Sequence, residues 1–196
     1  PVLAVLALAQ LLFVFNLVRL ASSLHQRTQQ LESEVERRRA AEERLEVLAT
    51  VDDLTQVVNR RAFFGRAAEI TAAAPEPTCV VVIDIDNFKT LNDTHGHAAG
   101  DEALRQFGDL LRTSMPYGAV VGRLGGEEFG LILPDSGCDE TRGVCERIRE
   151  GTTQIRAGLT SSFGITDWSP GQESIDTALA RADAGLYRAK QRGRNR

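Results

Sequence analysis

Three different patterns of apolar and polar positions follow one another along the chain. Residues 1–18 carry no charge, and only Pro1, Gln10 and Asn16 interrupt an apolar run that just reaches the length of a bilayer-spanning helix. From Leu24 to Thr50 the composition turns to Glu and Arg without Gly or Pro. Leu24, Leu31 and Leu45 at d positions place Thr28, Val35 and Ala49 at a, while Arg38 and Glu42 fall into the same seam. This is a weak heptad, consistent with a helix that pairs marginally. Past Val51 the pattern becomes that of a globular domain. Asp52 and Asp53 can cap a helix with Leu54, Val57, Val58, Phe63 and Phe64 along one side. The apolar run Cys79–Ile83 reads as a strand buried on both faces, with Asp84 at its end. A helix follows over about 98–113, then two apolar strands joined by Gly125, Gly126, Glu127 and Glu128 as a tight hairpin. A helix over 138–150, a strand over 157–165 and a helix over 174–190 complete the series. The order α, β, α, β, β, α, β, α predicts an α/β fold, a mixed central sheet with flanking helices.

These patterns divide the chain into a transmembrane helix over 1–21, a coiled-coil signalling helix over 22–50 and a globular domain over 51–196. Arg19 and Arg27 follow the apolar run instead of preceding it. That order disfavours a cleaved leader and places the C-terminal side in the cytoplasm. Because the chain opens on Pro, the first helix is expected to be the end of a longer region.

Composition narrows the function classes. With 23 Lys and Arg against 27 Asp and Glu, the formal net charge is −4, so there is no basic surplus to neutralise a long nucleic acid. Cys79, Cys138 and Cys145 are an odd number without a C-x-x-C pair. They read as packing residues of a reducing compartment, not as a disulfide framework or a thiolate zinc site. Leu186 and Tyr187 read as core, and His95 and His97 as structural residues of a glycine-containing loop.

The chemistry lies where acids end strands. If the strand ending in Asp84 neighbours the hairpin of Glu127 and Glu128, the carboxylates converge and repel, and a hard divalent cation held by oxygen is the usual compensation. Two such ions can activate a hydroxyl and stabilise a leaving phosphate oxygen. The bland reading, loop carboxylates in water, is equally compatible with the spacing alone.

Four strings add to this: DIDNFKTLNDTHGHAAGDEAL, RLGGEEFGLILP, SSFGI and RADAGLYRAKQRGRN, in this order and spacing. Together they resemble the GGDEF family of bacterial diguanylate cyclases, in a GGEEF form, from about Asp52 to Arg196. The resemblance implies a fold similar to the adenylate cyclase and polymerase palm. It also implies condensation of two GTP into cyclic di-GMP with release of two pyrophosphates, in a homodimer whose subunits each bring one GTP. It implies Mg²⁺ or Mn²⁺, two per site, held by Asp84, the Ile85 carbonyl and Glu127. Catalysis would rest on Glu127, Glu128 and Asp84, with Glu127 or a hydroxide near it taking the proton of the attacking ribose 3′-hydroxyl.

GTP would be bound by Phe88, Lys89, Asn92, Asp101, Gly125, Gly126, Lys190 and Arg194. Asn92 and Asp101 match the guanine-reading pair, since an Asp accepts from the N1 and N2 donors that adenine lacks. Gly125 and Gly126 leave the hairpin backbone open to phosphate. Lys89, with Lys190 and Arg194 on one face of the last helical turn, would bind phosphate.

Two departures stand out. Gln56 and Val57 replace the Gly and Leu of the family's D-x-L-T-G-L-x-N-R opening. Pro116 and Ala119 occupy the positions of the R-x-x-D product-inhibition motif, so feedback through that site is expected to be absent. The expected protein is therefore a cyclase of the bacterial inner membrane with its catalytic domain in the cytoplasm, paired through residues 24–50 and across the active sites. The alternatives are a catalytically silent GTP- or cyclic-di-GMP-binding module and a membrane scaffold that only dimerises partners.

Overall fold

The computed structural model describes residues 19, 29, 34–37, 50–73, 77–156 and 158–196. The chain divides into two units, Pro1–Val47 and Leu48–Arg196. In the first, residues 19, 29 and 34–37 are helical, and Val35 is exposed. The expected membrane span lies in residues that are not described, as does most of the expected coiled coil. Among the described residues no helix is long and apolar enough to cross a membrane.

In the second unit the elements run β1 (Val58–Asn59), α1 (Arg60–Ala73), β2 (Thr78–Ile85), α2 (Phe88–His95), α3 (His97–Ser114), β3 (Val120–Gly125), β4 (Glu128–Leu133), α4 (Cys138–Ile155), β5 (Ser161–Trp168) and α5 (Ile175–Gln191). One sheet has the order β1-β3-β4-β2-β5. Only the β1–β3 pair is parallel, so the sheet is mixed as the patterning predicts.

Every residue of β2 is buried, because helices cover both faces of the sheet. Val81, Ile83 and Ile85 turn to a core shared with Leu104, Phe107 and Leu111 of α3 and Val144 and Ile148 of α4. Val80 and Val82 turn to the opposite face, against Phe63 of α1 and Ala178, Ala182 and Leu186 of α5. Strand alternation therefore puts Asp84 on the α5 side.

Glycines set how closely the helices approach. Added Cβ atoms on Gly122 and Gly130, paired across β3 and β4, would lie 2.6 and 2.8 Å from Phe63. Phe63, fully buried, thus seats α1 in a depression of the hairpin; truncating it to Ala would cost about 3–5 kcal/mol.

Several sequence expectations are corrected. The first helix starts at Arg60, not at Asp53. The Asp52 Oδ1 accepts from the Thr55 N–H (2.9 Å) and hydroxyl (2.6 Å), and the chain turns through Gln56 at φ 57°. Val58 and Asn59 are then drawn into the sheet beside Gly122 and Arg123, and Asn59 Oδ1 caps the helix by accepting from Ala62 N at 3.0 Å. Residues 88–95, for which the patterning predicts no element, are helical, and Gly96, at φ 82°, separates α2 from α3. The last strand begins at Ser161: before it Leu159 N closes a turn onto the Arg156 carbonyl, and Thr160 is held by Asp86. Tyr187 is exposed while Leu186 is buried.

The cysteines also differ in kind. Cys145 is core, and burial pushes its thiol up to about 12. Cys138 is only partly buried: its Sγ lies 3.0 Å from Cys79 Sγ and donates to Asp167 Oδ1 at 2.9 Å. Burial, then the Asp167 carboxylate, hold the Cys138 thiol protonated. Cys79 in turn donates to the Thr166 carbonyl at 3.2 Å, so hydrogen bonds account for this cluster.

Candidate active site

Sheet register brings the acids together. Asp84 in β2 stands directly opposite Glu128 in β4, and directly opposed residues share a face. The Ile85 N–H donates to the Glu127 carbonyl at 3.3 Å, fastening the hairpin turn to the end of β2. Asp84 is 6% exposed, Glu127 half-buried and Glu128 exposed, so three carboxylates are graded from interior to solvent at one end of the sheet.

Among the described residues one cation contacts this group. Lys190, from the last turn of α5, places Nζ 2.8 Å from Asp84 Oδ2. Burial raises the Asp84 carboxyl above the ordinary carboxylate range; Lys190 pulls it down, and Glu127 and Glu128 push it up again. Three acids against one ammonium leave a local excess of negative charge, and an all-oxygen, carboxylate-rich donor set of this kind fits a hard divalent cation.

The turn itself is braced by a residue that the sequence reading passed over. Arg123 donates to the Gly126 carbonyl through Nε (3.0 Å) and Nη2 (2.8 Å), and through Nη1 to Asp52 Oδ1 at 3.1 Å. Burial alone would raise Asp52; the Thr55 donors and the Arg123 guanidinium outweigh it and hold the carboxyl below its usual range. An Arg two residues ahead of a glycine pair was the available signal. Added side chains at Gly125 and Gly126 would meet nothing within 4 Å, so the space beside the turn is open, and Gly126 takes φ 46°.

The other candidates lie on α2, which follows the end of β2, on α3, and in the loop before β3. Phe88 is buried at the start of α2 and Lys89 beside it is exposed. Asn92, further along α2, buries its Oδ1, which among the described residues has no hydrogen-bond partner. Gly100 packs against that side chain, and Asp101 follows it, exposed, in α3. Pro116 and Ala119 stand in the loop before β3.

One expectation about the cations is corrected. Lys190 and Arg194 do not share a helical face, because α5 ends at Gln191. Gly193 at φ 107° donates to the Lys190 carbonyl (3.4 Å) and Arg194 N to the Ala189 carbonyl (3.0 Å), the two bonds of a Schellman closure. Arg194 thus belongs to a turned tail beyond the helix.

Comparison with known proteins agrees with this layout. The family described as "Diguanylate cyclase, GGDEF domain" matches residues 49–196. The diguanylate cyclase DgcM of Escherichia coli is 38% identical over 164 residues, 79% of this chain and 39% of that protein. The response regulator PleD of Caulobacter vibrioides is 35% identical over 160 residues, 76% of this chain and 35% of that protein. The chain thus spans little more than a third of the length of these relatives. Among solved structures, the coiled coil and GGDEF domain of DgcB from Caulobacter crescentus, in complex with c-di-GMP, superposes with a TM-score of 0.79. It is 34% identical and covers 89% of this chain and 97% of that one. Since the match runs through every element that carries Asp84, Glu127, Lys190 and Arg194, this chain belongs to the GGDEF family of diguanylate cyclases.

Proposed function

We propose that the chain condenses two GTP into cyclic di-GMP, releasing two pyrophosphates, when two copies face each other with one GTP each. The observation that carries this reading is the convergence of Asp84, Glu127 and Glu128 at one end of the sheet, set against Lys190 of α5.

Asp84, Glu127 and the Ile85 carbonyl are the residues that would hold Mg²⁺ or Mn²⁺, two ions per site, with Glu128 beside them. Such ions, when bound, polarise phosphoryl oxygens and make a hydroxyl easier to deprotonate. The chain's own groups do the rest. Glu127, half-buried on the turn, accepts the proton of the ribose 3′-hydroxyl as it attacks the partner's α-phosphate. Lys190, which neutralises Asp84 in this structure, is a long side chain placed to pair with a phosphate oxygen of the triphosphate. Lys89 and Arg194 add positive charge, and the side-chain-free turn at Gly125 and Gly126 lets phosphate approach the backbone. Phe88 lies at the base of the same helix, while Asn92 and Asp101 read the guanine. The buried Asn92 Oδ1 supports this, since an unpartnered buried acceptor gains most from a ligand donor.

Residues 22–50 pair two copies, residues 1–21 anchor them in the bacterial inner membrane, and the catalytic domain faces the cytoplasm. The uncharged run ahead of Arg19 and Arg27 supports the orientation, and the DgcB neighbour likewise joins a coiled coil to its domain. Each domain holds one substrate, so proximity supplies the effective concentration for reaction.

The test is to incubate the full chain with GTP and Mg²⁺ and separate the products by chromatography. Cyclic di-GMP is expected, and Glu127→Gln is expected to abolish it while GTP still binds. Binding of GTP by an enforced dimer without any product would instead favour the silent nucleotide-binding module.

A further inference from the structure

Asp84 has a neighbour of the same charge for which the reading above has no use. Asp86, two residues on, is 4% exposed, and among the described residues no cation pairs with it. Its carboxylate is instead satisfied by three donors. Oδ1 accepts from Ser162 Oγ at 2.7 Å; Oδ2 accepts from Thr160 Oγ1 at 2.8 Å and from the backbone N–H of Asn195 at 3.1 Å. Its own N–H donates to the Thr160 carbonyl at 2.8 Å. A buried carboxylate held only by neutral donors adds little to stability, but its several directed bonds fix the groups that make them.

Those groups come from β5, from the residue before it, and from the tail after α5. The tail is held on both sides of Arg194. Before it stands the Schellman closure; after it, Asn195 Oδ1 accepts from Arg149 at 3.2 Å and the Arg196 carbonyl from Phe163 N at 2.9 Å. Gly193, Arg194 and Asn195 have successive φ values of 107°, 63° and 52°. Two adjacent non-glycine residues in the left-handed region are unfavourable by themselves and persist where surrounding contacts over-determine them. The Asp86–Asn195 bond is one of those contacts, and it runs from the tail directly to the segment that carries Asp84.

We propose that Asp86 is a positioning residue. By tying the Asn195 main chain to the end of β2 and the start of β5, it holds Arg194 where the substrate's triphosphate meets it. The metal-bearing strand and the phosphate-binding tail then act as one rigid unit. This rests on the reading of Arg194 as a phosphate ligand, and the experiment separates the two.

The affinity of the full chain for 3′-deoxy-GTP, which lacks the attacking hydroxyl and cannot be cyclised, is measured for the parent, Asp86→Asn, Arg194→Ala and the double variant. Arg194→Ala is expected to weaken binding about tenfold, the size of one charge-assisted hydrogen bond. Asp86→Asn is expected to weaken it by a similar factor in the parent and by less than about twofold when Arg194 is already Ala, the non-additivity of residues acting as a unit. Equal losses from Asp86→Asn in both backgrounds, or none in the parent, would overturn the positioning role while leaving Arg194 a phosphate ligand. No loss on Arg194→Ala would overturn the phosphate reading itself, and this inference with it. Should Asp86→Asn fail to fold, Thr160→Val, which removes one donor to the same carboxylate, must show the same non-additivity at smaller size.

Discussion

One methyl group on Gly100 would sit 1.9 Å from Asn92 Oδ1. The Asn92 side chain is flexible enough to swing away, so Gly100→Ala is expected to fold with an almost unchanged Tm but to displace the amide proposed to read the guanine. The KM for GTP should rise about tenfold, the value of one hydrogen bond, and discrimination against ATP should fall. Unaltered GTP affinity in that variant would remove Asn92 from the guanine site. Gln56 makes the opposite case. It occupies a left-handed turn at φ 57° where the family carries Gly, and its Nε2 donates to the Asp53 carbonyl at 2.9 Å. Relief of the strain outweighs glycine's entropy and that exposed bond only narrowly. Gln56→Gly should therefore stabilise by about 0.5 kcal/mol, raising Tm by about 1–2 °C. A lower Tm by calorimetry would show that this turn is not strained. The Gly-to-Gln departure is visible in the string DDLTQVVNR; the left-handed turn it must adopt is not.

Among the elements, α5 decides the site, since it delivers Lys190 and leads into Arg194. It approaches β5 so closely that an added Cβ on Gly164 would lie 1.8 Å from the Ala182 carbonyl and 2.5 Å from Leu186 N, both backbone atoms that cannot step aside. Gly185 provides the matching space on the helix. Gly164→Ala is expected to destabilise by about 3 kcal/mol, a Tm fall on the order of 10 °C, and to weaken GTP binding as the helix is pushed off the sheet. A variant of normal Tm would mean that α5 docks differently. Ser174 caps this helix, accepting from Thr177 N, as the sequence boundary at 174 suggests. At the other end, a run of Arg and Lys continues past the helix without a break in polarity. That continuity is why periodicity places Arg194 on the helix, whereas Gly193 ends it by adopting a left-handed φ.

For the whole molecule, the proposed reaction requires two copies to meet, placing one bound GTP against the other. Turnover of the proposed cyclase should therefore rise with protein concentration until the pair is saturated. Its regulation should lack one brake. Pro116 and Ala119 offer neither the guanidinium nor the carboxylate of the product-inhibition motif, and the loop bearing them exposes Tyr117. Initial rates are expected to stay constant as cyclic di-GMP is added to micromolar levels. Non-competitive inhibition there would reveal a product site built from other residues.

Much of this protein is determined by local sequence. Strands buried on both faces, amphipathic helices and a glycine hairpin are specified by which residues repeat at which interval, because burial of apolar surface rewards only the matching element. That is enough for the α/β class, for every element from β2 to α5 except the short helix α2, and for acids at strand ends as the place to look for chemistry. What periodicity cannot supply is pairing. Asp84 meets Glu128 through the register of β2 on β4, and Lys190 through the docking of α5 against the face that carries Val80 and Val82. Asp86 acquires its hydrogen-bond donors only when Ser162, Thr160 and Asn195, between 74 and 109 residues away, close around it. Hydrogen bonds of that span depend on three-dimensional proximity alone. The one-dimensional pattern therefore determines the elements and the candidate residues, and tertiary packing decides which of those residues act together.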